Sequence, residues 1–380
     1  MQTRSSSPIL HNIFSLIPLL FYFFNLLRIT KGIILPFIII ELIGGIYGIF
    51  LLIFKRKYHK KILISLFLIY FVSCFISPYF SNNRNIFGSI FSVFCFGVGI
   101  VMLNHPIRFC YGKICFWVTA LWMFLYFLMG VPNDQVFINS SENYISVILI
   151  IAAAFYYVGL YNSGKKISIV SFSPAVISFM LSVWGNGRGG ILCTLLLNVL
   201  VFFSYIHQKR NKGKDLFLVR VLVFSVLCIM VFAGGYLLDT ISNLGNMSKG
   251  MESSREIIWL SYYEEMSASL TNFLFGVPYS EMPMMIELEN NTHNSFIQLH
   301  AECGFFAFAI FLILTINSFK YYLSTKKQLL FAMVFTIFAR CLTDVFAFSE
   351  IGMPIFLYLI LYQFIEESSM QKTRVNPYRE

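Results

Sequence analysis

Apolar stretches about as long as a bilayer is thick recur along the whole chain, and they limit what it can become. A helix needs roughly 20 residues to cross a hydrocarbon layer of about 30 Å. About twelve stretches meet that need, near residues 9–27, 33–54, 62–80, 86–104, 114–131, 144–161, 167–183, 189–206, 216–238, 295–318, 328–347 and 350–366. Inside hydrocarbon, backbone N–H and C=O groups must be satisfied within the protein, so such runs become helices. The expected fold class is all-α: a polytopic integral membrane protein, one transmembrane domain over residues 1–380. Only 12% of residues are charged, against about a quarter in an average soluble domain. No internal repeat is evident, so an inverted-repeat transporter gains no support. The opening stretch MQTRSSSPILHNIFSLIPLLFYFF lacks a clear small-residue cleavage site and is expected to be a retained first span.

Sidedness follows from Lys and Arg, which favour cytoplasmic loops. With the N-terminus inside, the cytoplasmic segments hold Arg4, the Lys55–Lys61 cluster, Arg108, Lys113, Lys165, Lys166, the Lys209–Arg220 cluster, Lys320, Lys326, Lys327, Lys372, Arg374 and Arg379. The outer segments hold only Arg28, Lys31, Arg84, Arg188, Lys249 and Arg255. Arg340 falls within a span. An even number of spans returns the C-terminus to the cytoplasm, so both termini are expected there. The net charge of +10 then reads as loops facing anionic lipid, and no nucleic-acid partner is expected. The eight Cys form no CxxC pair and no Cys/His metal spacing, and read as small apolar residues within helices.

This topology leaves one large outer loop, residues 239–291, rich in Glu. Within it SSREIIWLSYYEEMSASL predicts a short helix, with Ser253 or Ser254 available as its cap. Ile258, Trp259, Tyr262 and Tyr263 recur at helical spacing. Their face either lies on the membrane surface or packs on the ends of the spans.

Several polar groups gather on the outer side. WGNGRGG places Arg188 among Gly187, Gly189 and Gly190. Glycines allow close backbone approach, and a helix N-terminus adds positive potential for an anion. A guanidinium there suits phosphate or pyrophosphate; the alternative is a tight turn with a snorkelling Arg. Arg255 begins the loop helix and either meets an anion or pairs with Glu252 or Glu256. Arg340 and Asp344 lie one helical turn apart in the outer half of a span, as a structural ion pair or as cavity lining. His293 stands at the mouth of the span that starts near 295 and can accept a proton near neutral pH. Glu302 is a second candidate base. No Walker loop, HExxH or Ser/His/Asp order is present, and no metal or cofactor is expected.

Three motifs carry a resemblance: GNGRGG at Arg188, SSREIIW at Arg255 with LFGVP after it, and HNSFIQLHAECG, where His293 and Asn294 are followed by nine residues and Gly304. In these, over roughly Trp184–Phe308, the chain resembles the O-antigen polymerase and O-antigen ligase superfamily of bacterial envelope polysaccharide enzymes. Ala307 stands where the ligase pattern has Gly, Thr or Tyr, which favours the polymerase. The resemblance implies a metal-independent glycosyltransferase of the inner membrane. Its substrate would be an oligosaccharide on undecaprenyl pyrophosphate, held at the periplasmic face with the lipid tail in the bilayer. It implies catalytic roles for His293, Arg188 and Arg255. Gly187, Gly189, Asn294, Glu302, Arg340 and Asp344 are expected around the substrate. A regulator of chain length is a further expected partner. The alternatives are a ligase acting on lipid A core and, from another class, a lipid-linked glycan flippase, which should carry charges at mid-bilayer depth along several spans.

Overall fold

The computed structural model describes residues 14–54, 60–80, 86–138, 141–210, 254–279, 282–283 and 292–365. All regular structure among them is helical, with no strand. Six helices are long and apolar enough to cross a membrane, at Leu35–Phe54, Lys61–Phe80, Phe109–Leu128, Tyr144–Asn162, Arg188–Lys209 and Ser295–Ser324. Gly88–Asn104, Ile169–Trp184 and Gln328–Cys341 are shorter and also apolar. The expected span at 216–238 lies outside the described residues, as do 239–253 and 284–291 of the expected outer loop.

The chain divides into two compact units. The first takes its described residues from Met1–Ile107, Ser254–Thr325 and Ile337–Glu380. It contains α1 (Ile17–Lys31), α2 (Leu35–Phe54), α3 (Lys60–Phe80), α4 (Ile86–Asn104), α9 (Ser254–Ser267), α10 (Leu270–Phe275), α11 (Ser295–Ser324), the last residues of α12 (Gln328–Cys341) and α13 (Met353–Leu361). The second takes its described residues from Arg108–Ser253 and Lys326–Thr336. It contains α5 (Phe109–Leu128), α6 (Tyr144–Asn162), α7 (Ser173–Trp184), α8 (Arg188–Arg210) and the start of α12.

In the first unit, α2 and α4 are pressed together along glycines. A Cβ on Gly48 would lie 1.8 Å from the Gly97 carbonyl oxygen, and one on Gly97 would lie 2.4 Å from that of Gly45. Without a hydrophobic force between helices in lipid, such backbone contact supplies the packing energy. The opposite face of α2 carries Ile39, Ile43, Ile46 and Phe50, each between 49% and 60% exposed. An apolar stripe on the outside belongs in hydrocarbon rather than in water.

The second unit is built around α6. Every residue from Ile145 to Leu160 is buried, as expected of a helix apolar on all sides. Tyr157 satisfies its hydroxyl by donating to the Ser171 carbonyl at 2.9 Å. The expected span at 167–183 is divided here. A short 3-10 turn at Ile169–Phe172 comes first, held by a reciprocal Ser168–Ser171 capping box, and α7 follows with Pro174 in its first turn.

Candidate functional site

A polar cavity of about 190 Å³ lies in the first unit, at the start of α11. Five stretches line it: Pro78 of α3; Gly88, Ser89 and Ser92 of α4; Tyr279; Ser295, Gln298, Glu302 and Cys303 of α11; and Val345, Phe348, Ser349 and Glu350 between α12 and α13. Ser295, Gln298 and Glu302 meet there because spacings of three and four residues share one helix face.

Gln298 is the hub of the lining. Its amide nitrogen donates to the Tyr279 hydroxyl and to Glu302 Oε1. Its amide oxygen accepts from Thr292 Oγ1 at 3.2 Å. Tyr279 Oη also donates toward Glu302 Oε1 at 3.4 Å. Burial, and next the nearby Glu302 carboxylate, push the Tyr279 phenol pKa well above its ordinary value, so this hydroxyl stays a donor. On the other wall Glu350 meets Arg28 at 3.2 Å. That guanidinium also donates to Asn25 Oδ1 at 3.2 Å and lies 4.7 Å from the centre of the Phe37 ring. Glu302 and Glu41 are both within electrostatic reach of Glu350. Glu41 is fully buried and accepts from the Cys95 thiol at 3.0 Å.

The α9–α10 segment sits on this end of α11. Ile258 and Tyr262 pack against Val277, Met282, Ile297 and Ala301, with Trp259 partly buried beside them. Of the two placements open for this amphipathic face, packing on the end of a span is the one found; Tyr263 remains 50% exposed. Three polar bonds fix the dock. Trp259 Nε1 donates to the Thr292 carbonyl at 2.9 Å. His300 Nδ1 and the Tyr262 hydroxyl are 2.6 Å apart, and His300 Nε2 is 2.9 Å from the Phe273 carbonyl. The dock is close enough to need glycine on both sides. A Cβ on Gly304 would lie 2.4 Å from the Leu274 carbonyl oxygen, and one on Gly276 2.3 Å from that of Ala301. Gly304 also breaks the helix, with φ 74 and ψ −178.

The residues singled out by sequence fall in different settings. Glu302 is in the cavity wall. His293 precedes α11 with a left-handed backbone, φ 49, and is half-buried; it is not among the lining residues. Asn294 caps α11, its Oδ1 accepting from the Phe296 and Ile297 amides at 2.9 and 3.2 Å. Arg255 is half-buried in the first turn of α9. Arg340 and Asp344 are paired at 2.8 Å with side chains 0% and 3% exposed, and they stand behind the cavity wall rather than on it. Ser295 joins the two layers. Its hydroxyl donates to the Asp344 carbonyl at 2.7 Å and accepts from the Phe346 amide at 3.0 Å.

Arg188 belongs to the second unit, where it opens α8 and is half-buried. Its glycines have neighbours. A Cβ on Gly187 would lie 2.2 Å from Asn143 Oδ1, and one on Gly190 2.1 Å from Ser146 Oγ. Close packing on the start of α6 accounts for both, and Asn186 carries the positive φ of the turn. Gly189 is half-buried.

No family model and no curated protein matches the chain. Among the described residues, no group of three or more His, Cys, Asp and Glu is gathered as a metal ion requires.

Sequence reasoning missed Tyr279, Gln298 and Glu350. Gln298 had a signal, because it shares a helix face with Glu302. Glu350 had one too, as a carboxylate between two apolar runs. Tyr279 had none, since only the α9–α10 dock brings it to α11.

Proposed function

We propose that the protein is a membrane-embedded glycosyltransferase that extends a polyprenyl-pyrophosphate-linked glycan, in the manner of an O-antigen polymerase. The observation that carries this reading is a polar cavity lined by carboxylates, an amide and a phenol, inside a helical unit that carries exposed apolar side chains on α2. A reactant that is a sugar at one end and a lipid at the other needs both. The glycine, arginine and histidine motifs supply the rest of the support, as a resemblance.

In the proposed reaction an acceptor sugar hydroxyl attacks the anomeric carbon of the donor glycan. The bond from that carbon to the pyrophosphate oxygen breaks, and its electron pair leaves on the pyrophosphate. The hydroxyl proton passes to a base, either His293 or Glu302. By the resemblance alone, Arg188 and Arg255 are assigned to the charge that builds on the leaving group, where a preorganised cation contributes most. The finer topology belongs to the same proposal: about twelve crossings with the shorter helices counted among them, both termini in the cytoplasm and the 239–291 loop in the periplasm of a bacterial inner membrane. A chain-length regulator completes the proposed set of partners.

One observation favours a second reading. Glu41, fully buried in α2 near the Arg28–Glu350 pair, is the kind of intramembrane carboxylate that a proton-coupled lipid-linked glycan flippase uses. Gene deletion with gel analysis of surface polysaccharide is the first test. Single repeat units on the core are expected; a complete loss of repeats points to a ligase or a flippase. Purified protein given lipid-linked repeat units in detergent then decides between enzyme and flippase, because transfer needs no membrane to be crossed. Absence of any polymer in that assay refutes the polymerase reading.

A further inference from the structure

We infer that the cavity at the start of α11 is a subsite for a single neutral sugar ring, and that Glu302 and Glu350 make it reject anionic sugars. This rests on the glycan-transfer reading and adds to it a residue-level account of which sugar enters.

Size comes first. A space of about 190 Å³ is well above the roughly 10–15 Å³ that one water needs. That admits one ring with its hydroxyls, and any longer glycan would have to continue out of the mouth. The lining suits such a ring. A pyranose presents several hydroxyl donors on its rim and C–H groups on its faces. Glu302 and Glu350 accept from hydroxyls, Gln298 and Tyr279 offer donors and acceptors, and Phe348 gives an apolar wall. Gln298 and Tyr279 both donate to Glu302 Oε1, which orients that carboxylate without any cation.

Charge decides the selectivity. Two carboxylates face the space, within electrostatic reach of each other. The guanidinium beside them, Arg28, lies against Glu350, Asn25 and the Phe37 ring. A uronic acid or a phosphate entering here would meet the Glu302 and Glu350 carboxyls while Arg28 is already held by Glu350, and like charges repel. The pyrophosphate of the lipid carrier must therefore lie elsewhere, and this cavity takes the sugar end of a reactant.

The test uses the purified full-length chain carrying Ser92→Cys, a half-buried cavity position. The rate at which a small thiol reagent labels residue 92 is read by peptide mass spectrometry, which separates it from the native thiols. The probes are the methyl glycosides of glucose, galactose, mannose and N-acetylglucosamine, and the methyl glycoside of glucuronic acid. At least one neutral glycoside should slow labelling severalfold at saturation, and the glucuronide should not. Adding Glu302→Gln should raise the half-protecting concentration of the neutral glycoside on the order of tenfold, since hydrogen bonds to a charged group are lost. Adding Glu350→Gln frees Arg28 of its carboxylate, and the glucuronide should now protect, by about tenfold or more over its starting level. The second substitution keeps the inference testable if the first does not fold. Protection by no neutral glycoside overturns the inference, and so does equal protection by glucuronide and glucoside without the Glu substitutions. These outcomes are separable from the function itself. A deletion that alters surface polysaccharide while no glycoside protects leaves the enzyme and removes the subsite. Protection together with an unchanged polysaccharide does the reverse.

Discussion

Removing one member of the buried Arg340–Asp344 pair should cost more than any other single substitution near the cavity. The two side chains are 0% and 3% exposed and meet at 2.8 Å. Arg340 Nη1 also donates to Thr343 Oγ1 at 2.8 Å, and Asp344 Oδ1 accepts from the Val345 amide at 2.8 Å. Deleting one partner of such a pair typically destabilises by about 3–5 kcal/mol, because the other charge stays buried without compensation. Replacing both with apolar groups of similar size is often neutral. Arg340→Met and Asp344→Leu should each lower stability by about that amount, whereas the two together should recover most of it. The assay is unfolding of the purified protein in one detergent, with the four chains forming a double-mutant cycle. Function gives an independent readout. Ser295 bonds the Asp344 carbonyl at 2.7 Å and lines the cavity, so the double variant should fold yet show altered labelling at Ser92→Cys. Additive effects, or single variants as stable as the parent, would refute the claim that the pair acts as one buried unit.

Asn294→Ala should lose about 1 kcal/mol through the missing cap of α11, with Asn294→Asp retaining most of it; chemical unfolding of the two variants checks this. Gly304→Ala places a Cβ 2.4 Å from the Leu274 carbonyl oxygen at φ 74, so α10 should lift from α11, and protease cleavage within 270–279 should become faster. Burial brings the Lys327 pKa down to about 8 from 10.5. The folded state then prefers the neutral amine, so stability should rise as pH goes from about 8 to about 10.5 and be flat below, and Lys327→Met should remove that slope. Cysteines at exposed Glu256 and Lys165 should react with a membrane-impermeant reagent from opposite sides, Glu256→Cys from outside and Lys165→Cys only from the cytoplasm; labelling of both from one side removes the sidedness.

Helix existence was legible where length and hydropathy agreed, as at α2, α6 and α8. Helix ends were not. The run expected at 328–347 stops as a helix at Cys341, although Val345, Phe346, Ala347 and Phe348 are apolar. Their backbone is satisfied another way: Asp344 Oδ1 takes the Val345 amide, and Ser295 Oγ takes those of Phe346 and Ala347. A hydropathy window counts these side chains and does not see that a serine 51 positions away closes the turn. The run expected at 350–366 likewise begins as a helix only at Met353. Gly44 and Gly48 lie one helical turn apart in α2, and nothing local in the sequence names α4 as the partner.

The same limit explains which parts of the cavity could be read. Glu302 stood out as a carboxylate in an apolar helix, and periodicity puts Gln298 on the same face although it was not singled out. Tyr279 reaches them through a chain of events that no single window contains. Gly304 and Gly276 carry no side chain, so α10 can lie on α11 at backbone distance. The Trp259–Thr292 and His300–Phe273 bonds hold that approach. Only then does the turn after Val277 deliver a phenol to Gln298 and Glu302. Gly304 is the last residue of the spacing that begins at His293, and here its part is mechanical: it lets a segment from elsewhere in the chain complete the cavity wall. Asn294 acts in a similar way, by fixing the first turn of the helix that carries Ser295, Gln298 and Glu302. Residues that look like reactants in a sequence can thus be the ones that set the reactants in place, and the groups that face the cavity can be ordinary polar residues whose importance comes from the packing around them.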